Sequence, residues 1–177
     1  YARLNLQNGS TNTLNQISAS PSKTITEVYL DGATINVPED ASSSFLQGLT
    51  NVFIKSGGVT LNGANTNSIH IRQNLLEGSS GGLTWNGTGG GALQLDGTNT
   101  YTGTTLVSSG TLGGIGTLAS PLVMASGASL YPGGGGNIGT ITVNNGVTLH
   151  PGALATFELN TTNSLAQTDE LGNITNY

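Results

Sequence analysis

Nine carboxylates and two histidines are the side chains in this 177-residue chain that could run acid–base chemistry or hold a metal. The carboxylates are Glu27, Asp31, Glu39, Asp40, Glu77, Asp96, Glu158, Asp169 and Glu170, and only Glu39-Asp40 and Asp169-Glu170 are adjacent. Glycoside cleavage needs two carboxyl groups flanking one bond, whereas neighbours in a strand point to opposite faces. Asp31 and Asp96 each precede a glycine, which favours turns where a carboxylate accepts backbone N–H bonds. His70 and His150 stand without a nearby carboxylate or a second histidine at ligand spacing. Cysteine is absent, which removes disulfides and thiolate metal sites. No G-x-S-x-G elbow occurs, and "GGGGN" at 133–137 lacks both the Lys-Ser/Thr of a phosphate loop and the Asp series of a calcium-binding repeat. The expectation is a chain with no catalytic residues, no cofactor and no metal. Trp85, Tyr101 and Tyr131 could stack on sugar rings if exposed, and could equally cover corners of a core. The sequons at Asn8, Asn86, Asn160 and Asn173 are explained by chance in so Asn- and Thr-rich a chain.

The elements that must position these residues announce themselves by repetition. Residues 119–133 laid over 138–152 match at an offset of 19: Leu122 on Ile141, Met124 on Val143, Gly127 on Gly146, Leu130 on Leu149 and Pro132-Gly133 on Pro151-Gly152. Two short apolar-alternating segments thus flank a shared glycine, the pattern of strands joined by a corner. Gly110 lies 17 residues before Gly127, and "VFIKSGGVTLNG" and "VYLDGATINVP" repeat the idea around Gly58 and Gly32. A short period filled with strand and turn residues reads as a β-solenoid, whose coils bury their apolar faces only by stacking. At that offset Leu130 would lie under Leu149 and Met124 under Val143, and His150 would take the place of Tyr131 with the rings stacked outward. Coils of roughly 20 to 25 residues give about seven to nine coils and a rod of roughly 35–45 Å.

Composition agrees. Apolar residues make up 35% of the chain, charged residues 7%, and 28 residues are glycine; small aliphatics fill a narrow solenoid, and Asn, Thr, Ser and Gln supply its surface. Disorder is the competing reading, but alternating segments such as "SIHIRQ", "ALQLDG" and "GTITVNNGVTL" argue against it. A net charge of −5, with Arg3, Lys23, Lys55 and Arg72 as the cations, argues against nucleic acid and anionic membranes. No run of about 18 apolar residues exists to span a bilayer as a helix. No basic-plus-apolar leader stands at Tyr1, so an export signal has been removed or lies outside this sequence. Asp40–Leu49 places Phe45, Leu46 and Leu49 at helical spacing, a short helical turn after Pro38.

"GTNTYTG" at 97–103, "LVSSGTLGGIGTL" and "LYPGGGGNIGTITVNNGVTLHPG" together resemble the autotransporter-associated β-strand repeat of bacterial surface and secreted passenger proteins. Leu95, Gly97, Asn99, Thr100, Tyr101, Gly103, Thr105, Val107, Gly110, Thr111 and Leu112 fit its first segment; Pro132, Gly133, Gly139, Thr140, Ile141 and Val143 fit its second. "GGLTWNGTGGGALQL" looks like the family's lead-in, with Trp85 where a basic residue is more common. The match covers about residues 80–160. It implies a right-handed parallel β-helix from an exported bacterial protein, often an adhesin or stalk. A C-terminal barrel-forming segment is not seen, so the autotransporter route is an inference from the repeat.

The chain is therefore read as all-β, a right-handed parallel β-helix in one domain over 1–177, with 1–50 an irregular start or cap, 51–160 regular coils and 161–177 a frayed end or cap. The expected function is a non-enzymatic structural or adhesive domain, extracellular or on a bacterial surface. A subunit of a self-assembling fibre and a glycan-binding or polysaccharide-cleaving module are the alternatives. Expected partners are other copies end to end or the flanking coils of a longer chain, with host or matrix glycans and proteins beyond these. The end coils, poor in charge, are expected to pair with something.

Overall fold

Strands of two to six residues, many of them joined by glycine-bearing corners, wind this chain into a parallel β-solenoid of about six turns, seen in a computed structural model. The structure describes residues 1–19, 22, 26–63, 68–134 and 137–158, with the backbone of 167–168 and 174–175. Each turn contributes one strand to each of three faces. The first coil holds β1 (Ala2–Gln7), β2 (Thr11–Thr13) and β3 (Ile17–Ser18); the second β4 (Thr26–Asp31), β5 (Ala33–Val37) and β6 (Ser44–Gln47); the third β7 (Asn51–Ile54), β8 (Val59–Gly63) and β9 (Ser68–Ile71). The fourth holds β10 (Leu75–Glu77), β11 (Leu83–Gly87) and β12 (Ala92–Leu95); the fifth β13 (Thr98–Asn99), β14 (Thr105–Ser109) and β15 (Thr111–Gly114). β16 (Thr117–Leu118), β17 (Leu122–Met124) and β18 (Ser129–Pro132) follow, and then β19 (Thr142–Val143), β20 (Val147–Leu149) and β21 (Leu154–Ala155). The second and third faces are seven-stranded sheets, and the first divides into β1-β4-β7-β10 and β13-β16-β19. β22 (Gln167–Thr168) and β23 (Ile174–Thr175) form a separate antiparallel pair.

Alternation drives the winding. β5, β8 and β11 turn every second residue inward, and parallel pairing lays like on like: Ile35 on Leu61 on Trp85, Val28 on Val52 on Leu75, and Ile69 on Leu93 on Leu112 on Leu130. Each such leucine taken out of water is worth roughly 1.5–3 kcal/mol. Trp85 fits because Gly63 lies in line with Val37 and Gly87; a Cβ at Gly63 would collide with the indole.

Several expectations are corrected. Coils do not repeat at 19 through residues 119–152: Met124 lies on Leu149, Leu118 on Val143 and Leu130 on Ala155. Turn length varies from 17 residues, Thr105 on Leu122, to 29, Ile17 on Leu46. The offset of 19 instead carries a corner of one kind onto a corner of another, because Gly127 (φ +81°) sits between the second and third faces and Gly146 (φ +86°) between the first and second. Both corners place a left-handed glycine between two short strands, so a self-match cannot tell a corner from a coil. His150 for the same reason follows β20, bonding its N–H to the Met124 carbonyl, whereas Tyr131 is on β18. The seven strand layers are joined through about six turns, in place of the seven to nine coils expected, which at about 4.8 Å per turn gives roughly 29 Å.

Among the described residues there is no helix, and none long and apolar enough to cross a membrane. The segment expected to be a helical turn is β6, where a register shift between Ser44 and Leu46 brings two consecutive residues, Phe45 and Leu46, into the core. Residues 1–50 carry six strands paired in the same sheets as the rest, so coiling begins at Ala2 rather than Asn51. The end expected over 161–177 lies outside the described residues apart from the backbone of β22 and β23. Leu93, Leu95, Ile69, Ile71 and Leu130, on the apolar phase of their alternating segments, are interior, and Ile141 and Val143 pack partly buried against the core. Val147 and Leu149 are each 47% exposed; they sit in the last described layer, where no described strand pairs beyond β20.

Candidate functional site

The third face brings together the one histidine–carboxylate pair among the described residues. His70 stands outward between the buried Ile69 and Ile71 on β9. Asp96 follows β12, one coil on and two residues farther along the chain than the strand partner Gln94. Its Oδ2 lies 2.8 Å from His70 Nδ1. An ionised carboxylate only accepts, so Nδ1 carries the proton and Nε2 is left as the second ring nitrogen. The expectation that His70 stands without a carboxylate is thus corrected, as is the assignment of Asp96 to its own turn. Separation in sequence hid the contact, and only the coil length would have revealed it.

The groove beside His70 is lined by Ser68, Gln94, Thr111, Tyr131 and Asn137 with the backbone of Gly133 and Gly134. These are neutral hydroxyls and amides. Gln94 is 97% covered although it points away from the core, because the chain at Gly134 passes over its amide and Gly113 leaves room beneath. Among the described residues no group of three or more His, Cys, Asp or Glu is placed to hold a metal ion.

The three aromatic residues singled out for sugar stacking do not meet. Trp85 is buried on the second face, its indole N–H without a hydrogen-bond partner among the described residues. Tyr101 is wholly buried at a corner, its hydroxyl 2.6 Å from Thr105 Oγ1, which is itself 2.6 Å from Ser120 Oγ. Burial pushes the Tyr101 phenol up to about 12, against the pull of the Thr105 and Ser120 hydroxyls. Of the three, Tyr131 alone is partly exposed, and its hydroxyl donates to Glu158.

Other residues with chemical potential hold coil to coil. Asn99, buried, accepts from the Leu75 N–H at 3.1 Å and donates to the Gly97 and Thr117 carbonyls at 3.0 and 3.2 Å, joining three layers where the first face changes sheet. Asp31 accepts from the Gly57 N–H at 2.8 Å, one coil on. Glu77 accepts from the Thr102 N–H at 2.6 Å and from the Ser80 N–H; hydrogen bonding from Thr102, foremost, holds its carboxyl below the usual range. On the first face Glu27 accepts from the Tyr1 and Tyr29 hydroxyls at 2.7 and 3.1 Å and pairs with Arg3 at 3.3 Å. The Tyr1 bond above all, then Tyr29 and Arg3, lowers its carboxyl against a smaller burial effect. Arg3 also lies 4.6 Å from the Tyr29 ring centre, and Tyr29 stacks on Phe53 at 5.1 Å.

No known protein family, curated protein or solved structure matches this chain.

Proposed function

We propose that this chain is a non-enzymatic structural section of a bacterial surface or secreted protein, a β-solenoid that extends, presents or self-associates outside the cell, with adhesion to cells or matrix as its use. The observation that supports it most is where the reactive side chains point. Asp31, Glu77 and Asn99 each bind backbone of a neighbouring coil, and Asp96 holds His70 across one. These bonds position strands rather than a substrate. The repeat-like segment at 97–112 follows the same logic, since its Asn and Tyr are both internal. Assays on pectin, alginate and related polymers should show no turnover. Cleavage lost on Asp96→Asn or Glu77→Gln, in variants that remain folded, would overturn this reading in favour of a polysaccharide-cleaving module.

A second reading, a subunit of an extracellular fibre, is favoured by the last described layer. Val147, Leu149 and Leu154 lie over Leu122, Met124 and Ser129, yet all three are exposed. An uncovered layer of a parallel sheet presents unpaired N–H and C=O groups as well as apolar side chains. Flanking coils of a longer chain or another copy would satisfy both. Light scattering across a concentration series distinguishes the readings: growth in size supports the fibre, and a constant monomer supports the spacer.

A further inference from the structure

The second face carries a two-column array that the structural reading does not require. Thr-x-Asn recurs in three successive coils, as Thr34-Ile35-Asn36, Thr60-Leu61-Asn62 and Thr84-Trp85-Asn86, and Thr11-Asn12-Thr13 precedes them. The middle residue of each Thr-x-Asn triplet is inward and the outer two face solvent. Register is maintained throughout: Thr11, Thr34, Thr60 and Thr84 form one column, and Thr13, Asn36, Asn62 and Asn86 the other. None of the four strands contains a charged residue.

The asparagines fix one another. Asn62 Nδ2 donates to Asn36 Oδ1 at 2.9 Å, and Asn86 Nδ2 to Asn62 Oδ1 at 2.8 Å. Each amide has two donors and two oxygen lone pairs, so the ladder keeps the column in one rotamer and leaves polar capacity facing out. The threonines are stiff at χ1 because they are β-branched. The result is a pre-ordered lattice of hydroxyls, methyls and amides, spaced about 4.8 Å along the axis and about 6.7 Å across it.

Tetrahedral water hydrogen-bonded at about 2.75 Å puts second-neighbour oxygens about 4.5 Å apart, and the hexagonal stacking of such layers repeats at about 7.3 Å. The mismatch of about 0.3 Å per coil accumulates to about 0.9 Å along the array, and the single step between columns falls about 0.6 Å short, each no more than a third of one water–water distance. Four coils therefore stay in phase with ice, whereas a solute lacking this two-dimensional repeat would gain nothing from it. The array ends at the next coil, where Leu106 and Val123 continue the threonine column and the register shifts between Trp85 and Asn86.

We propose that the face formed by Thr11, Thr34, Thr60 and Thr84 with Asn36, Asn62 and Asn86 binds the surface of ice. The test is partition of the purified chain into slowly grown ice, read as the ratio of its concentration in ice to that in liquid, alongside thermal hysteresis. The parent chain is expected to enter the ice and to open a hysteresis gap. Thr60→Tyr and Thr84→Tyr, each with an unchanged circular dichroism spectrum, should fall to the ratio of an excluded solute. Gln47→Tyr, an exposed position on the third face, should partition as the parent does. Exclusion of the parent chain overturns the proposal whatever the variants do, and equal loss in Gln47→Tyr overturns the assignment to this face.

Discussion

Asn99 and Tyr101 show how polar side chains are held inside the solenoid by hydrogen bonds that engage their polar atoms. Replacing Asn99 by Leu leaves the Leu75 N–H and the Thr117 and Gly97 carbonyls without this partner, and unsatisfied buried groups cost about 1–3 kcal/mol each. A loss of about 3 kcal/mol in urea unfolding is expected after partial relaxation. Tyr101 gives a pH signature. Its phenol is pushed to about 12 in the folded chain, against roughly 10 when unfolded. The folded state therefore holds the proton longer, and its stability, full below pH 10, falls as pH rises from about 10 to about 12. Absorbance at alkaline pH should show one tyrosine ionising last, and Tyr101→Phe should remove that step. At this scale the sequence was only partly legible. Trp85 and Tyr101 are as aromatic on a surface as in a core, so their type could not place them. The His70–Asp96 contact needed a coil length that varies from turn to turn.

Elements were far more readable than residues. Period-2 alternation placed Ile69, Ile71, Leu93 and Leu95 inside, and all four are buried. What alternation cannot supply is the layer above. Leu149 has the inward phase, stacked on Met124, and is nonetheless half exposed. A severe effect of an inward aspartate thus belongs to a central layer rather than to Leu149. Leu112 lies between Leu93 and Leu130 and has no exposed surface. Leu112→Asp should abolish cooperative folding, since an unpaired buried charge costs several kcal/mol. Leu149→Asp should cost about 1 kcal/mol or less, and paired thermal melts check the contrast. The segment Asp40–Leu49 misled because a bulge, like a helix, puts adjacent apolar residues on one side.

As a whole the molecule is a stack whose strength is the sum of coil-to-coil contacts, and its turns tolerate 17 to 29 residues because the corners absorb the difference. That variation explains why fold class was legible while turn count and register were not: conserving inward phase suffices for winding, and nothing in the loops fixes the period. The proposed structural role and the patterned second face both depend on register. Because the chain has no cysteine, it can be tested on a clean background. Thr34 and Thr60 are direct partners on adjacent strands, about 4.8 Å apart, inside the disulfide range of about 4.4–6.8 Å between Cα atoms. Ser126 and Asn145 are both exposed and related by the offset of 19, but occupy different corners. Under mild oxidation of the folded chain, the double variant Thr34→Cys/Thr60→Cys should form an intramolecular disulfide and Ser126→Cys/Asn145→Cys should not. Bridging in the second pair and none in the first would contradict the solenoid register.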